Sequence, residues 1–192
     1  MTPPPPQGYQ PHTTHGAKVR ADVVDVYIFR RLPSARPGAA VEFLQLLRAA
    51  DPLKDTWHPV MGHTLAAETS LGCALRELEE EVGLRHTDSA LLGLWALEQV
   101  HPFYIAAIDT VVLSPRFAAE VSPGWEPTLN AEHTAHRWVS QIAIDTAFMW
   151  PGQRACCREV LSEIVSAESQ SRDRLRVKLE SPQFSALPNL SD

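Results

Sequence analysis

Three glutamates on one predicted helix are the residues of this sequence best placed to do chemistry. Glu77, Glu80 and Glu81 stand at i, i+3 and i+4, so a helix brings their carboxylates to one face. Crowding like charges costs on the order of 1 kcal/mol per pair at about 4 Å in water. The only cation nearby is Arg76, which is placed to pair with Glu80 at i+4. Divalent cations such as Mg²⁺ and Mn²⁺ are the usual reason for such a cluster, because they prefer oxygen ligands.

The helix that must carry these glutamates is predicted from about Thr69 to Val82. Apolar residues recur at i, i+4, i+7 and i+11 and gather on its opposite side, which is expected to pack on the core. Gly83 is the predicted C-terminal stop. The apolar residues are Leu71, Leu75, Leu78 and Val82.

A longer motif surrounds the helix. Gly62 is followed after five residues by Glu68, and after seven more by Arg-Glu-apolar-x-Glu-Glu-x-Gly-apolar, ending at Leu84. This spacing resembles the box of the Nudix hydrolases at every fixed position; the alternative is an amphipathic helix with a merely charged face. One difference is Ala67, where many relatives carry glycine.

The resemblance implies a fold, a reaction and a set of ligands. Nudix enzymes are three-layer α/β/α sandwiches that use Mg²⁺, with Mn²⁺ as a substitute, to cleave a nucleoside diphosphate linked to another group X into a nucleoside monophosphate and P-X. The implied metal ligands are Glu77 and Glu81, then Glu80 and the carbonyl of Gly62. Arg76 is expected to orient the carboxylates, and Glu68 to brace the loop before the helix.

A further ligand or general base is expected from outside the helix, and Glu132 is our candidate. Residues 129–139 resemble a Glu-His-x4-Trp-apolar signature found in two branches of the family, although Glu132 as a plain surface residue remains an alternative. The branches are the bacterial dATP and dihydroneopterin triphosphate pyrophosphatases and the asymmetric dinucleoside tetraphosphate (Ap4A-type) hydrolases. His133 is expected to pack or to act through a neighbour rather than to catalyse.

Two features favour the first branch. No lysine precedes Gly62, where the tetraphosphate branch prefers Pro-Lys-Gly, and Met149–Arg154 stands where the first branch opens its last helix with an aromatic residue. An ADP-ribose specificity ranks third, because Pro102 lies too far beyond the box.

Substrate-binding residues are less specific in the sequence. Arg48 and Arg154 are predicted phosphate contacts, and Trp150 is the predicted stacking residue because it lies in a loop that opens a helix. Other aromatic residues are core by default. His58, His63 and His101 are weak candidates near the predicted cleft.

Composition limits the class of partner. The chain has 192 residues, 44% of them hydrophobic, and a formal net charge of -6, which argues against a nucleic-acid polymer as partner. Cys73, Cys156 and Cys157 lack metal or disulfide spacing, and neither a signal peptide nor a membrane span is predicted, so we expect a cytoplasmic protein. The expected partner is a small nucleotide or organic triphosphate, and a homodimer is compatible with the resemblance.

The order of elements predicts an α/β fold, a mixed β-sheet between helices. Strands are predicted at 20–31, 41–48, 57–61, 90–100, 103–113 and 117–121 and before Val139, with helices at 142–148 and 153–167. The predicted domains are a Pro-rich disordered arm at 1–18, a Nudix domain at 19–167 and a polar tail, mobile or docked, at 168–192. Two other functions stay open: a nucleotide sensor that does not hydrolyse, and an interaction protein that uses the arm as a polyproline ligand.

Overall fold

The computed structural model describes residues 16–33 and 40–179. The remaining parts of the predicted arm and tail, and residues 34–39, lie outside the described residues. The strands are β1 Lys18–Arg20, β2 Val23–Leu32, β3 Ala40–Arg48, β4 Trp57–His58, β5 Val60–His63, β6 Leu91–Ala96, β7 Phe103–Ile105, β8 Thr110–Val112, β9 Arg116–Val121 and β10 His133–Ser140. The helices are α1 Ser70–Val82, α2 Ile144–Ala147, α3 Pro151–Glu159 and α4 Arg172–Leu175, with 3₁₀ turns at Ala106–Ile108 and Gln141–Ala143 and a π-helical turn at Val160–Val165.

A mixed seven-stranded sheet forms the middle layer. Its order is β10-β3-β2-β9-β6, with β4 on β3 and β5 on β2, and the β2–β9 pair is parallel. Alternate residues of β2 face opposite sides, as strand geometry requires. Val26 and Ile28 join the core beneath α1, whereas Tyr27 and Phe29 join the core beneath α3. The predicted sheet between helices is therefore confirmed.

Helix α1 begins and ends at strong capping signals. The hydroxyl of Thr69 accepts a hydrogen bond from the Gly72 N–H at 3.0 Å, which satisfies one of the free amides of the first turn. At the other end Gly83 takes a left-handed φ of 69°, which glycine adopts without strain. The predicted span from Thr69 to Val82 is confirmed to within one residue.

The opposite layer is formed by α2, α3 and the π-helical turn. The second long helix is predicted at 153–167. In the structure it begins at Pro151, and the π-helical turn that continues it ends at Val165. Cys156 and Cys157 are buried free thiols inside this layer. In the described part of the chain, no helix is long and apolar enough to cross a membrane.

The prediction of one strand over Phe103–Leu113 is wrong. The segment folds back on itself, because the 3₁₀ turn and a left-handed Asp109 at φ 47° separate β7 from β8. The Tyr104 hydroxyl donates to the Asp109 carboxylate at 2.8 Å and steadies the turn. Aspartate tolerates this conformation better than most residues, but no Gly or Pro in the segment indicates a turn. The hairpin forms a separate three-stranded sheet with β1.

The C-terminal segment follows the docked alternative as far as the structure describes it. After α4, the Val177 N–H donates to the Leu94 carbonyl at 2.8 Å, and Arg176 bridges to Trp95 along the outer edge of β6. Val177 and Leu179 pack against the core beneath α1.

A buried ion pair connects β9 to β2. The Nε of Arg116 lies 3.1 Å from an Asp25 carboxylate oxygen, and their side chains are 3% and 5% exposed. Arg116 also donates to the carbonyl of Gly152, at the start of α3. Burial raises the pKa of Asp25, so the carboxylate depends on the guanidinium to remain charged.

Removing this arginine should destabilise the fold. We expect Arg116→Met to lower the free energy of unfolding by about 3–5 kcal/mol, because a buried carboxylate loses its partner. Arg85→Met is the control: its partner Glu79 lies 2.9 Å away, but the two side chains are 66% and 53% exposed, so the loss should stay below about 1 kcal/mol. Urea unfolding measures both, and equal losses would contradict the assignment.

Candidate active site

Gly62 lets strand β5 approach helix α1 at the centre of the site. A Cβ on this residue would lie 1.8 Å from Glu77 Oε1, far inside van der Waals contact. Glycine is the residue that permits such a close approach. The first glycine of the motif therefore lies directly against the first glutamate of the cluster.

Arg76 is the cation that organises the acidic face. Its guanidinium binds Glu77 at 2.7 Å and Glu80 at 2.8 Å, the second being the predicted i,i+4 pair. It also binds both carboxylate oxygens of Glu68, at 2.9 and 3.1 Å. The hydrogen bonds that Arg76 donates to the Glu68 carboxylate are the main reason that the pKa of Arg76 is raised.

Glu68 holds the loop that enters the helix. Besides binding Arg76, its carboxylate accepts the Leu65 N–H at 2.8 Å, and the Arg76 hydrogen bond lowers its pKa. The residue before it, Ala67, has a left-handed φ of 64°. An alanine in this conformation costs on the order of 1 kcal/mol relative to glycine, so the difference from the family pattern introduces local backbone strain.

Glu77 and Glu81 are buried carboxylates, 8% and 2% exposed. Burial raises the pKa of both and brings that of Glu81 to about 8, with the Glu77 charge as a second cause. Glu81 accepts the Met61 N–H at 3.3 Å. Arg76 contacts Glu77, but in the described residues no arginine or lysine forms an ion pair with Glu81. Negative charge at this position is therefore poorly compensated by the protein.

The loop between β9 and β10 brings Glu132 to the site formed by Glu77 and Glu81. The backbone of this loop is hydrogen-bonded to the end of α1, because Thr128 N–H donates to the Val82 carbonyl and Asn130 N–H to the Glu81 carbonyl. The Glu132 carbonyl accepts the Ala49 N–H at 2.8 Å. Glu132 is exposed, and its charge adds to burial in raising the pKa of Glu77 and Glu81.

Arg48 and two histidines complete this side. In the strand register His133 pairs with Arg48, and β4 places His58 beside them. Burial, followed by the charge of Arg48, lowers the pKa of His58 and of His133 to about 4, so both rings are neutral near pH 7. His58 was a weak sequence candidate and Asn130 was missed. The sequence signal for His58 is its position shortly before the motif, and that for Asn130 is its position shortly before Glu132.

Trp150 and Arg154 lie in the other layer. Trp150 precedes α3 and is 48% exposed, whereas Arg154 donates to the carbonyls of Phe148 and Met149, both at 2.9 Å. Because α3 packs on the sheet face opposite α1, the structure does not bring these two residues into contact with the glutamates. Their substrate-binding roles stay predictions.

The donor set fits a hard divalent cation. Carboxylates and one backbone carbonyl supply only oxygen, which Mg²⁺ and Mn²⁺ prefer. Burial raises the pKa of Glu77 and of Glu81 and so disfavours their charged forms, which a bound cation would stabilise. Within residues 16–33 and 40–179, no three His, Cys, Asp or Glu side chains already form a metal site. Arg76 binds one oxygen of Glu77 and one of Glu80, which leaves the second oxygen of each carboxylate for a cation.

Comparison with known proteins gives a consistent result. Residues 23–160 match the NUDIX domain family. The mouse bis(5'-nucleosyl)-tetraphosphatase [asymmetrical] is 32% identical over 113 residues, which are 58% of this chain and 74% of the mouse protein. Two solved structures share the fold.

The first is a C. elegans Ap4A hydrolase complex, with a TM-score of 0.58, 18% identity and coverage of 73% of this chain and 94% of that one. The second is the E. coli dihydroneopterin triphosphate pyrophosphohydrolase, with a TM-score of 0.54, 22% identity and coverage of 73% and 97%. With the family match spanning most of the sheet and both helical layers, the chain belongs to the Nudix hydrolase family.

Proposed function

We propose that this Nudix pyrophosphohydrolase uses Mg²⁺, or Mn²⁺ in its place, to cleave a phosphoanhydride bond in a nucleoside triphosphate or a related NDP-X compound. The observation that carries the proposal is the burial of two carboxylates, Glu77 against Gly62 and Glu81 one helical turn further on, with Arg76 as the one arginine that pairs with Glu77 among the described residues. Such an arrangement costs stability and is expected only where a cation is to be bound.

Glu77, Glu80, Glu81 and the Gly62 carbonyl would hold the cation, with Glu132 as an additional ligand or as the base. The bound metal neutralises phosphate charge and lowers the pKa of water. Arg76 keeps the carboxylates in register through its contacts with Glu68, Glu77 and Glu80.

Glu132 and Arg48 would act on the reacting groups. Glu132 is exposed and therefore accessible as an acceptor for the proton of an attacking water. Arg48 is half-buried at the end of β3, and no carboxylate in the described part of the chain forms an ion pair with it. A substrate phosphate is a suitable partner for such a guanidinium.

Two substrate classes are supported by different observations. Met61, where the tetraphosphate branch prefers lysine, favours a nucleoside or pterin triphosphate. The mouse relative favours a dinucleoside tetraphosphate. The products differ: the first class gives a monophosphate and pyrophosphate, whereas asymmetric cleavage of four phosphates gives a nucleoside monophosphate and a nucleoside triphosphate.

A product assay tests the proposal directly. We expect Mg²⁺-dependent turnover in a panel of nucleoside triphosphates, dihydroneopterin triphosphate, dinucleoside tetraphosphates and ADP-ribose, with EDTA abolishing it. Chromatography of the products identifies the class. Binding without turnover in either metal would instead indicate the sensor.

Glu81→Gln should remove activity. We expect kcat to fall by about 10³-fold, because an amide is a poor ligand for a hard cation. Glu79→Gln is the matched control on the same helix, since Glu79 is exposed and binds only Arg85 among the described residues. Equal activity of the two variants would remove Glu81 from the site.

The same substitution should change the pH dependence of stability. The folded-state pKa of Glu81 is about 8, above its ordinary value of 4.5, so the folded state binds the extra proton between these values. Stability without metal should therefore fall as pH rises through this window, by about 1–3 kcal/mol. Glu81→Gln should lack this fall. Thermal unfolding in EDTA at several pH values measures it, and parallel curves for both proteins would contradict it.

Gly62→Ala tests the close approach of β5 to α1. The new methyl would displace the whole buried Glu77 side chain, because its Cβ would lie 2.4 Å from Cγ as well as 1.8 Å from Oε1. We therefore expect kcat/KM to fall by about 10²-fold and the free energy of unfolding to fall by about 1–3 kcal/mol. Gly124→Ala is the control, since its Cβ would meet nothing within 4 Å. Activity and thermal unfolding are measured together, and wild-type activity in Gly62→Ala would contradict the prediction.

A further inference from the structure

The connection between β9 and β10 has to cross the sheet. In the strand order β10-β3-β2-β9-β6, both β2 and β3 lie between its two ends. Trp125 and Leu129 of this connection pack against the core beneath α1, so residues 122–132 cross on the face that α1 covers. Glu132, the proposed base, stands at the far end of the crossing. Its position therefore depends on what holds the crossing to the strands beneath it.

The Glu126 carboxylate is the polar contact at the middle of the crossing. Its Oε1 accepts from Arg30 Nη1 at 2.9 Å. Its Oε2 accepts from the indole Nε1 of Trp138 at 3.0 Å and lies 3.0 Å from Nε2 of His136. Partial burial raises the pKa of Glu126, but the hydrogen bonds with these three side chains outweigh burial and lower it. Because Arg30 belongs to β2 and the other two residues to β10, one charged side chain of the loop is bound to both strands.

Arg30 is a well-fixed partner for this carboxylate. Its guanidinium lies 3.8 Å from the ring centre of Trp138, and its side chain is only 13% exposed. Its Nη2 lies 2.8 Å from an oxygen of Glu42 on β3. A guanidinium that stacks on an indole and is paired along one edge has little freedom to turn. Since Arg30 Nη1 also donates to the Pro123 carbonyl at 3.3 Å, it contacts the first half of the loop at two places.

The second half of the crossing meets the last turn of α1 through its backbone. The N–H groups of Thr128 and Asn130 donate to the carbonyls of Val82 and Glu81, at 3.0 and 3.4 Å. The second bond is long for an N–H···O contact. Backbone hydrogen bonds of surface loops open locally at a low cost in free energy, so an anchor earlier in the same loop keeps them closed for a larger fraction of the time.

We propose that Glu126 is a positioning residue for Glu132: its contacts with β2 and β10 hold the crossing where Glu132 lies beside the glutamates of α1. The effect on the reaction rests on the proposed function, because it requires Glu132 to act on the substrate. The anchoring of the loop does not. The Glu126 side chain is 55% exposed, and exposed ion pairs add little to global stability. Its loss should therefore be seen in the loop and not in the unfolding of the whole protein.

The first experiment is amide hydrogen exchange in the metal-free protein. In Glu126→Ala, the amides of Thr128 and Asn130 should exchange about 10-fold faster, because local opening becomes easier. Glu126→Gln keeps an acceptor oxygen and should lie between Glu126→Ala and wild type. Glu42→Ala is the matched control: it removes the other carboxylate partner of Arg30, but Glu42 belongs to β3 and not to the loop, so both amides should exchange as in wild type. Wild-type exchange of both amides in Glu126→Ala overturns the inference.

The second experiment is steady-state kinetics with Mg²⁺, on the compound of the product-assay panel that is turned over fastest. Glu126→Ala should lower kcat about 10-fold and leave KM within about twofold, because a misplaced base affects the chemical step. In the Glu132→Gln background the same change should have no further effect, since no base is left to position. Glu42→Ala should keep wild-type kcat. Wild-type kcat in Glu126→Ala, or an equal loss in both backgrounds, overturns the positioning role.

The outcomes separate the two proposals. If Glu132→Gln keeps wild-type kcat, Glu132 is not the base and the effect on the reaction fails with it, while the exchange rates still decide whether Glu126 anchors the loop. Should Glu126→Ala not fold, Glu126→Gln decides through the same two measurements: wild-type exchange together with wild-type kcat overturns the inference.

Discussion

The burial of two like charges is the constraint around which this protein is arranged. Glu77 and Glu81 lie on the side of α1 that packs near β5, where water cannot easily stabilise them. Gly62 makes the space, and Arg76 supplies the one cation in contact with Glu77 among the described residues. A residue chosen only for stability would not be ionisable at these positions, so the two glutamates cost folding free energy, which agrees with the proposed cation site.

The elements around α1 support these buried glutamates. The Arg76 guanidinium contacts Glu77 and Glu80 on one side and Glu68 on the other, so the loop before α1 is part of the same arrangement. On the far side, the loop before β10 is hydrogen-bonded to the last turn of α1, which places Glu132 and His133 beside Glu81. On the opposite face of the sheet, Tyr27 of β2 and Phe43 of β3 pack with Phe148 in an aromatic core.

Local signals made much of this predictable. Helix α1 follows from Thr69, Gly83 and the apolar spacing between them, and the Arg76–Glu80 pair follows from helix geometry. The hairpin at Asp109 did not, because an aspartate in a left-handed conformation leaves no distinct mark in a sequence. The sequence also does not show which face of the sheet α3 covers. Trp150 precedes this helix and Arg154 belongs to it, and the long-range topology of the chain decides the face on which it packs. The contact of Asn130 with His133 is local, three residues apart, but the position of both residues depends on the pairing of β10 with β3.

The docked C-terminal segment has a consequence for where this domain ends. The family match stops at residue 160, yet Val177 and Leu179 contribute to the core and the backbone at 176–177 covers the open side of β6. An uncovered edge strand offers unpaired amides and carbonyls to any other extended chain. A protein truncated at the family boundary would therefore expose a template for aggregation, and its poor solubility would reflect a missing cover and not a faulty active site.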